Sequence, residues 1–534
     1  MTTKSTSHVF IYILFVLPTS LIAQNAWQSW LQISTVGSSD FIAASITMDN
    51  NNKIILSANG GTTSPVFDLN TFGSCVLAKM DTNYRVNWAI PARSFGTGLG
   101  GASVNPKVCT DKDGNIYWAG SFYDSVIIKQ TKLIGTATPV PPGAFQTTKN
   151  IYIVKISATG EVLWGNVFTA EIRAIPYNFT PNVSSLSADT LGNIYISGSY
   201  AGTLRGDGAS VSGSNMSNGY LLKMNAATGR LKKMMSLGQT NCYANKVKTD
   251  SKGNVLLAGY FGGTLNLGSF SFFSNSNSAF IAKLDTNLSP IWIKQNAGKT
   301  CSAMDVNEKD NIYLTGTSGS GFYIAQYAPD GTLLKTKEAN TSEIAPHDLI
   351  AYRDVVVVTG DFRGSIQMDG KQIAATVTAD NSIFTVTLDT TFSVRKLNTV
   401  SSYGTTKGNA MTKISKSGQL VLAYTFNRFV VANGFVVNAI AYDLMIAIDK
   451  DLVTHTAFAQ DLAARIYPNP ANDQLIVETE TTINCKIFNS LGVFVKENKT
   501  NTIINTRDLP NGSYFIQAED SSGKRGFLKF VVAR

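Results

Sequence analysis

The side chains able to do chemistry in this 534-residue chain are few and scattered. There are three histidines; beyond His8 near the start, only His347 and His455 remain, far apart. No zinc-binding spacing, serine elbow or paired-carboxylate motif accompanies them. Gly96-Thr-Gly-Leu-Gly-Gly101 satisfies the G-x-G-x-x-G pattern, but a dinucleotide site needs a strand before it and a helix after it. No helical pattern follows, so it reads as a loop. Asp111-Lys-Asp-Gly-Asn115 starts like a calcium loop but lacks the bidentate Glu that completes one, and it reads as a turn. The expected cofactor set is therefore empty, with Ca²⁺ the minor alternative. Cys75, Cys109, Cys242, Cys301 and Cys485 are odd in number and fit no metal spacing; a Cys242–Cys301 bridge and buried free thiols are the two readings.

The most regular chemistry is cationic. Lys79, Lys155, Lys223 and Lys283 hold one position in four copies of a repeat, where the other copies carry Gln326, Thr387 and Ala447. In a ring they would form a partial basic circle able to meet an anionic glycan. The competing reading is a solvated strand face. The tryptophans Trp88, Trp164 and Trp292 and the aromatics Tyr117, Trp118, Tyr195 and Tyr313 also recur with the repeat, which favours packing between repeats over a sugar platform.

The element that must position them is Asp189-Thr-Leu-Gly-Asn-Ile-Tyr-Ile-Ser-Gly198, repeated from Asp111, Asp250 and Asn307 and more weakly near Asp49, Arg353 and Ser415. Asp and Gly make the turn, Gly supplying a positive φ. The short apolar, β-branched run after it is a buried strand, and the closing Gly marks close backbone approach. A second element follows each copy, clearest as Phe280-Ile-Ala-Lys-Leu-Asp285 leading to Trp292, and Gly202-Thr203, Gly263-Thr264 and Gly364-Ser365 give hairpin signals in between. Four short strands per copy, seven times, predict an all-β chain: a seven-bladed β-propeller. The blades are expected at 40–96, 102–170, 181–238, 243–298, 301–340, 342–402 and 408–458. The strand at Ala26–Ile33 is expected to complete the blade containing Ser415–Asp449, with Leu452–Phe458 the competitor.

Residues 1–23 read as a signal peptide, from Lys4 and the short apolar run Val9–Leu17. The ring occupies 24–462. At 463 the pattern changes, Arg465-Ile-Tyr-Pro-Asn-Pro470 interrupting strand formation, and 463–534 reads as a small Ig-like β-sandwich. No transmembrane span is expected in the mature chain. The net charge of +9 leaves six positive charges on the ring, spread without a run, which argues against nucleic acid.

The tail resembles the C-terminal sorting domain (type A) read by the bacterial type IX secretion system. The resemblance rests on Tyr467-Pro-Asn-Pro470, the turn ending at Gly492, Leu509-Pro510, Gly512, Tyr514 and Lys529. It implies export through the inner membrane and then across the outer membrane, with the secretion machinery as partner and a secreted or surface-attached destination. The repeats resemble the seven-bladed propeller repeat of secreted bacterial proteins, a family that brings no catalytic residues. The favoured function is a non-catalytic glycan- or protein-binding adhesin or scaffold. The alternative is a polysaccharide hydrolase or lyase, with carboxylates, or His347 with Tyr and Arg, converging at one mouth of the ring. A third reading is a structural surface-layer component.

Overall fold

The computed structural model describes residues 29–33, 41–60, 75–95, 106–135, 150–171, 181–214, 216–238, 241–319, 321–339, 343–375, 381–403, 410–426, 429–432, 435–438, 443–449, 464–479, 482–489, 494–519 and 525–534. The signal segment, Gly96–Gly101, Leu452–Phe458, His455 and Gly492 lie outside these residues. The chain divides into two units, Met1–Lys450 and Asp451–Arg534.

Each motif turn closes as its residues dictate. The Asp189 Oδ1 accepts the N–H groups of Leu191 (2.9 Å) and Asn193 (2.7 Å), and Oδ2 accepts Asn193 Nδ2 (2.7 Å) and the Tyr195 hydroxyl (3.0 Å). The slot before Asn193 is left-handed, with φ +79° at Gly192, and Asn52 takes the same conformation at φ +60° in the first copy. The strand that follows runs into the closing glycine, where a Cβ on Gly198 would stand 2.0 Å from the Asn182 carbonyl oxygen and one on Gly259 1.8 Å from that of Tyr243. The Tyr220 hydroxyl donates to the Asn182 carbonyl at 2.8 Å. The first strand is bulged nearby, between Val183 and Ser185, and equivalent shifts occur at Ala43/Ser45, Tyr243/Lys246 and Pro346/Asp348.

Among the described residues the first unit holds seven antiparallel meanders of four strands, three of them extended to six by a hairpin. Their first strands are Phe41–Met48, Lys107–Thr110, Asn182–Ala188, Cys242–Thr249, Ala303–Val306, Ile344–Tyr352 and Met411–Ile414. Each first strand touches the next, and Met411–Ile414 touches Phe41–Met48, so the circle is closed. Blade seven has three strands of its own; its fourth is Ser29–Ile33, paired antiparallel with Asp443–Asp449 from Ser29↔Ile448 to Ile33↔Leu444. The sheets bury their faces on one another, as in the cluster that joins Tyr117, Ile151 and Phe168 of blade two to Val183, Ile196 and Leu222 of blade three.

Hairpins between the second and third strands reach sideways. Ser125–Ile128 with Thr131–Ile134, of blade two, adds to the outer strand Val86–Phe95 of blade one. Thr203–Gly206 with Ala209–Ser212 does the same for blade two, and Phe429–Ala432 with Phe435–Asn438 for blade six. The second unit is two antiparallel sheets, of three and four strands, over a core that includes Leu475, Val477, Ile487, Ile504, Ile516 and Phe530.

Candidate functional site

The four ladder lysines face inward and do not form an open basic circle. Lys283 Nζ is 2.8 Å from Asp250 Oδ2, with the side chains 10% and 1% exposed. Its second bond crosses to blade five, to the Pro329 carbonyl at 3.2 Å. Lys79 pairs with Asp49 at 2.9 Å and reaches Ala158 of blade two at 3.3 Å. Lys155 lies 3.9 Å from Asp111, donates to Ala226 of blade three at 3.1 Å and stands over the Tyr117 ring. Lys223 donates to the Thr286 carbonyl of blade four. Lys79, Lys155 and Lys283 thus tie the motif turn of their own blade to a carbonyl in the last turn of the next, and Lys223, standing over the Tyr195 ring, makes the same reach to the next blade.

The tryptophans work beside them. Trp164 Nε1 donates to the Ala226 carbonyl and Trp292 Nε1 to that of Pro329, both at 3.2 Å. Their indoles cover the left-handed Gly229 (φ +70°) and Gly331 (φ +84°) of the next blade, as Trp88 covers Gly160. Where Lys233 or Lys335 replaces Trp, the lysine reaches the same turn, Asn287 or Thr390 at 2.7 Å. The left-handed slot then carries Leu288 or Phe392 in place of glycine. The expectation of inter-blade packing for the aromatics agrees with this, Tyr117, Trp118, Tyr195 and Tyr313 being buried.

Both oxygens of Asp111 are taken within its own turn, by the N–H groups of Asp113 and Asn115, by Asn115 Nδ2 and by the Tyr117 hydroxyl. Among the described residues no group of three or more His, Cys, Asp or Glu gathers around a metal-sized space. None of the five cysteines is in a disulfide and all are buried, and burial pushes the thiols of Cys109, Cys242 and Cys301 up to about 12.

A different set of cations lines the axis. The first strands bring residues to a cavity of about 130 Å³ that draws its wall from all seven blades, including Ser45, Lys107, Ser185, Lys246, Met304, Asp348 and Lys413. Lys248 and His347 also reach it. Lys248 Nζ is 2.8 Å from Asp305 Oδ1, and the other oxygen of Asp305 accepts the Ala351 N–H at 3.0 Å. Asp348 lies 3.3 Å from Lys246 and 4.0 Å from Lys413, and accepts the Thr412 N–H at 3.1 Å. Lys107 donates to the Ala44 carbonyl at 3.0 Å; among the described residues no carboxylate stands within ion-pair distance of it. Four ammonium groups therefore face two carboxylates.

The electrostatics follow this imbalance. Burial, then repulsion from Lys246, pulls the Lys107 ammonium down to about 8 despite attraction from Asp348. Burial lowers Lys413 as well, against Asp348. Lys248 is raised, because Asp305 outweighs the cost of burial. Burial would raise Asp348, but Lys246, Lys413 and the Thr412 N–H together hold it at about 2. His347 Nδ1 accepts the Ala410 N–H at 3.0 Å and Nε2 lies 2.7 Å from Asp361 Oδ1. That network assigns the proton to Nε2.

In the second unit, separate stretches meet at the chain end. Tyr467 and Pro468 are exposed, and Asn469 Oδ1 accepts the Val531 N–H at 2.9 Å. After Pro470, the Ala471 N–H donates to Val531 at 2.7 Å. Leu509 is buried, and the Pro510 carbonyl accepts the Tyr514 hydroxyl at 2.9 Å. Just before Gly512, Asn511 holds the Arg534 backbone through two bonds, at 3.1 and 3.2 Å. Tyr514 stacks on Phe530 at 5.4 Å, and the Lys529 backbone pairs with Phe515.

Residues 465–533 match the secretion system C-terminal sorting domain. No curated protein matches the chain. Among solved structures it is similar to the Dos1 propeller, with TM-score 0.39 and 8% identity over 78% of this chain and 94% of that one. It is also similar to a catalytically inactive virginiamycin B lyase from Staphylococcus aureus, with TM-score 0.36 and 8% identity over 78% and 98%. A third is quinohemoprotein alcohol dehydrogenase from Comamonas testosteroni, with TM-score 0.37 and 9% identity over 78% and 76%. Likenesses this remote carry nothing about ligand or activity. The sorting domain speaks to destination instead: it marks the chain for export by the type IX secretion system, to the medium or the outer cell surface.

Proposed function

We propose that the ring is a non-catalytic binding module displayed outside the cell, and that its ligand is an acidic extracellular glycan met where the lysine-lined axis opens. The observation that carries this is the excess of ammonium over carboxylate in the axial wall. Focused positive potential at a cleft recruits anions. The same wall is poorly set for hydrolysis. A general acid or base needs a pKa near the working pH, and Asp348 is held at about 2. Asp305 is tied to Lys248 and to a backbone N–H, both nitrogens of His347 are engaged, and no Tyr or Arg lines the cavity among the described residues.

On this reading residues 1–23 lead the chain across the inner membrane. The surface formed by Tyr467–Pro470, Leu509–Gly512 and the chain end is what the secretion machinery reads. Arrays of acidic and neutral glycans, probed with the labelled mature protein, test the binding reading. Retention on uronate-bearing or sulfated glycans that weakens with added salt is expected. Equal retention on neutral glycans, or retention on matrix proteins alone, would refute it.

A further inference from the structure

We infer that the axial cavity is a site for one small anionic group, a carboxylate or a sulfate, held between Lys107, Lys246 and Lys413. For its biological source this rests on the proposed acidic-glycan reading; the site itself stands on the geometry.

The first argument is charge. Asp348 serves Lys246 and Lys413 at once, Asp305 serves Lys248, and among the described residues Lys107 has no carboxylate within ion-pair distance, only the more distant attraction of Asp348. Lys107 is half-buried, and a partly desolvated cation without a close counter-ion is costly, so folded chains pair such groups or shift them toward neutrality. Lys107 makes one bond, to a backbone carbonyl, which leaves two N–H donors. The second argument is the wall. The Ser45 hydroxyl accepts the Val108 N–H at 3.1 Å, so its proton is available to an oxyanion in the same space. The third is size. A volume of about 130 Å³ is well above the roughly 10–15 Å³ that one water needs, so it has room for a carboxylate or sulfate group. The anion would complete the Lys107 shell, and the rest of its molecule would extend out along the axis.

A pH signature follows. The titratable groups that line the cavity with Lys107 are Lys246 and Lys248 of blade four, His347 and Asp348 of blade six, Lys413 of blade seven and Cys109 on the strand of Lys107, with Asp305 of blade five held on Lys248. An anion favours the charged ammonium, so binding takes up a proton when Lys107 is neutral. With Lys107 titrating at about 8, affinity should hold below pH 7 and fall about tenfold between roughly pH 7 and pH 9.

The test is calorimetric titration of the mature protein in low-chloride buffer with sodium sulfate, sodium acetate and sodium glucuronate. One saturable site is expected. Lys107→Met should weaken it at least tenfold, about 1.4 kcal/mol, and should raise the thermal midpoint of the ligand-free protein by removing an unpaired cation. Lys413→Met should weaken binding without that gain, and serves if the first variant fails to fold. Lys252→Met, on an exposed turn, should bind as the parent does. Tighter binding of sulfate than of the carboxylates would assign a sulfated ligand, and the reverse a uronate. Absence of saturable binding by all three anions, or full binding by Lys107→Met and Lys413→Met, would overturn the inference. If acidic glycans were still retained on the array, only the cavity site would fall and the proposed function would stand.

Discussion

Gly229→Ala puts the blade-to-blade contact to a quantitative test. Gly229 sits at φ +70° in the last turn of blade three, and an added Cβ would stand 2.5 Å from Trp164 Cε3 and 2.7 Å from Cδ2 of blade two. Two costs add. Left-handed backbone costs a residue with a Cβ roughly 1–2 kcal/mol. Displacing a packed indole adds about 1–3 kcal/mol of overpacking, and the Trp164–Ala226 hydrogen bond is worth about 1 kcal/mol. The expected loss is roughly 3–6 kcal/mol by these terms. Gly192→Ala isolates the first term, because Gly192 has φ +79° with nothing within 4 Å of the added carbon. It should lose only about 1–2 kcal/mol. Denaturant midpoints of the two variants, measured with and without Trp164→Lys, give the coupling. Trp164→Lys reproduces the arrangement of Lys233 and should remove most of the difference between the two glycine variants. Equal losses for Gly192→Ala and Gly229→Ala in the Trp164 background would refute the idea that the indole requires glycine beneath it.

Three further outcomes are expected. At the buried Asp250–Lys283 pair, either Lys283→Met or Asp250→Asn should cost about 3–5 kcal/mol, because the remaining partner is left unpaired, while the double variant should cost clearly less than their sum. A double-mutant cycle in guanidinium with no coupling would remove the ion pair from the account. Acid should weaken the ring in a defined window: Asp348 is depressed from 3.8 to about 2, so its contribution, about 2 kcal/mol, is present above about pH 4 and is lost as pH falls through 2. Denaturation midpoints of the parent and of Asp348→Asn should therefore converge on acidification. In cells, removal of residues 465–534 should leave the ring in the periplasm, seen by fractionation; full export of the truncated chain would contradict the sorting role.

The repeat was legible because its turn is local chemistry. Asp189, Gly192 and Asn193 specify one conformation within five residues, and the strands on either side follow from it. Ring closure was legible too, since Ser29–Ile33 looks like a fourth strand without a blade. The hairpin signals at Gly202 and Gly364 were visible, but not that Thr203–Ser212 would lie on the neighbouring blade, which depends on the ring's geometry. The axial site was hidden for the same reason. Lys107 and Lys246 lie four residues ahead of Asp111 and Asp250, and Lys248 and Lys413 two residues ahead of Asp250 and Ser415. That register was a signal, yet it is overshadowed by the more regular Lys79, Lys155, Lys223 and Lys283. Regularity there reflects a fastening repeated from blade to blade, whereas a ligand site in a ring has one copy and is drawn from unlike residues.

The pairing of Ser29–Ile33 with Asp443–Asp449 makes the circle a hoop with a clasp. The front half of the clasp is synthesised first and stays without its mate until nearly all of the ring has followed, which makes closure a late, long-range event. Trimming those five residues would leave the last blade one strand short, offering the bare rim of Asp443–Asp449 to any passing strand.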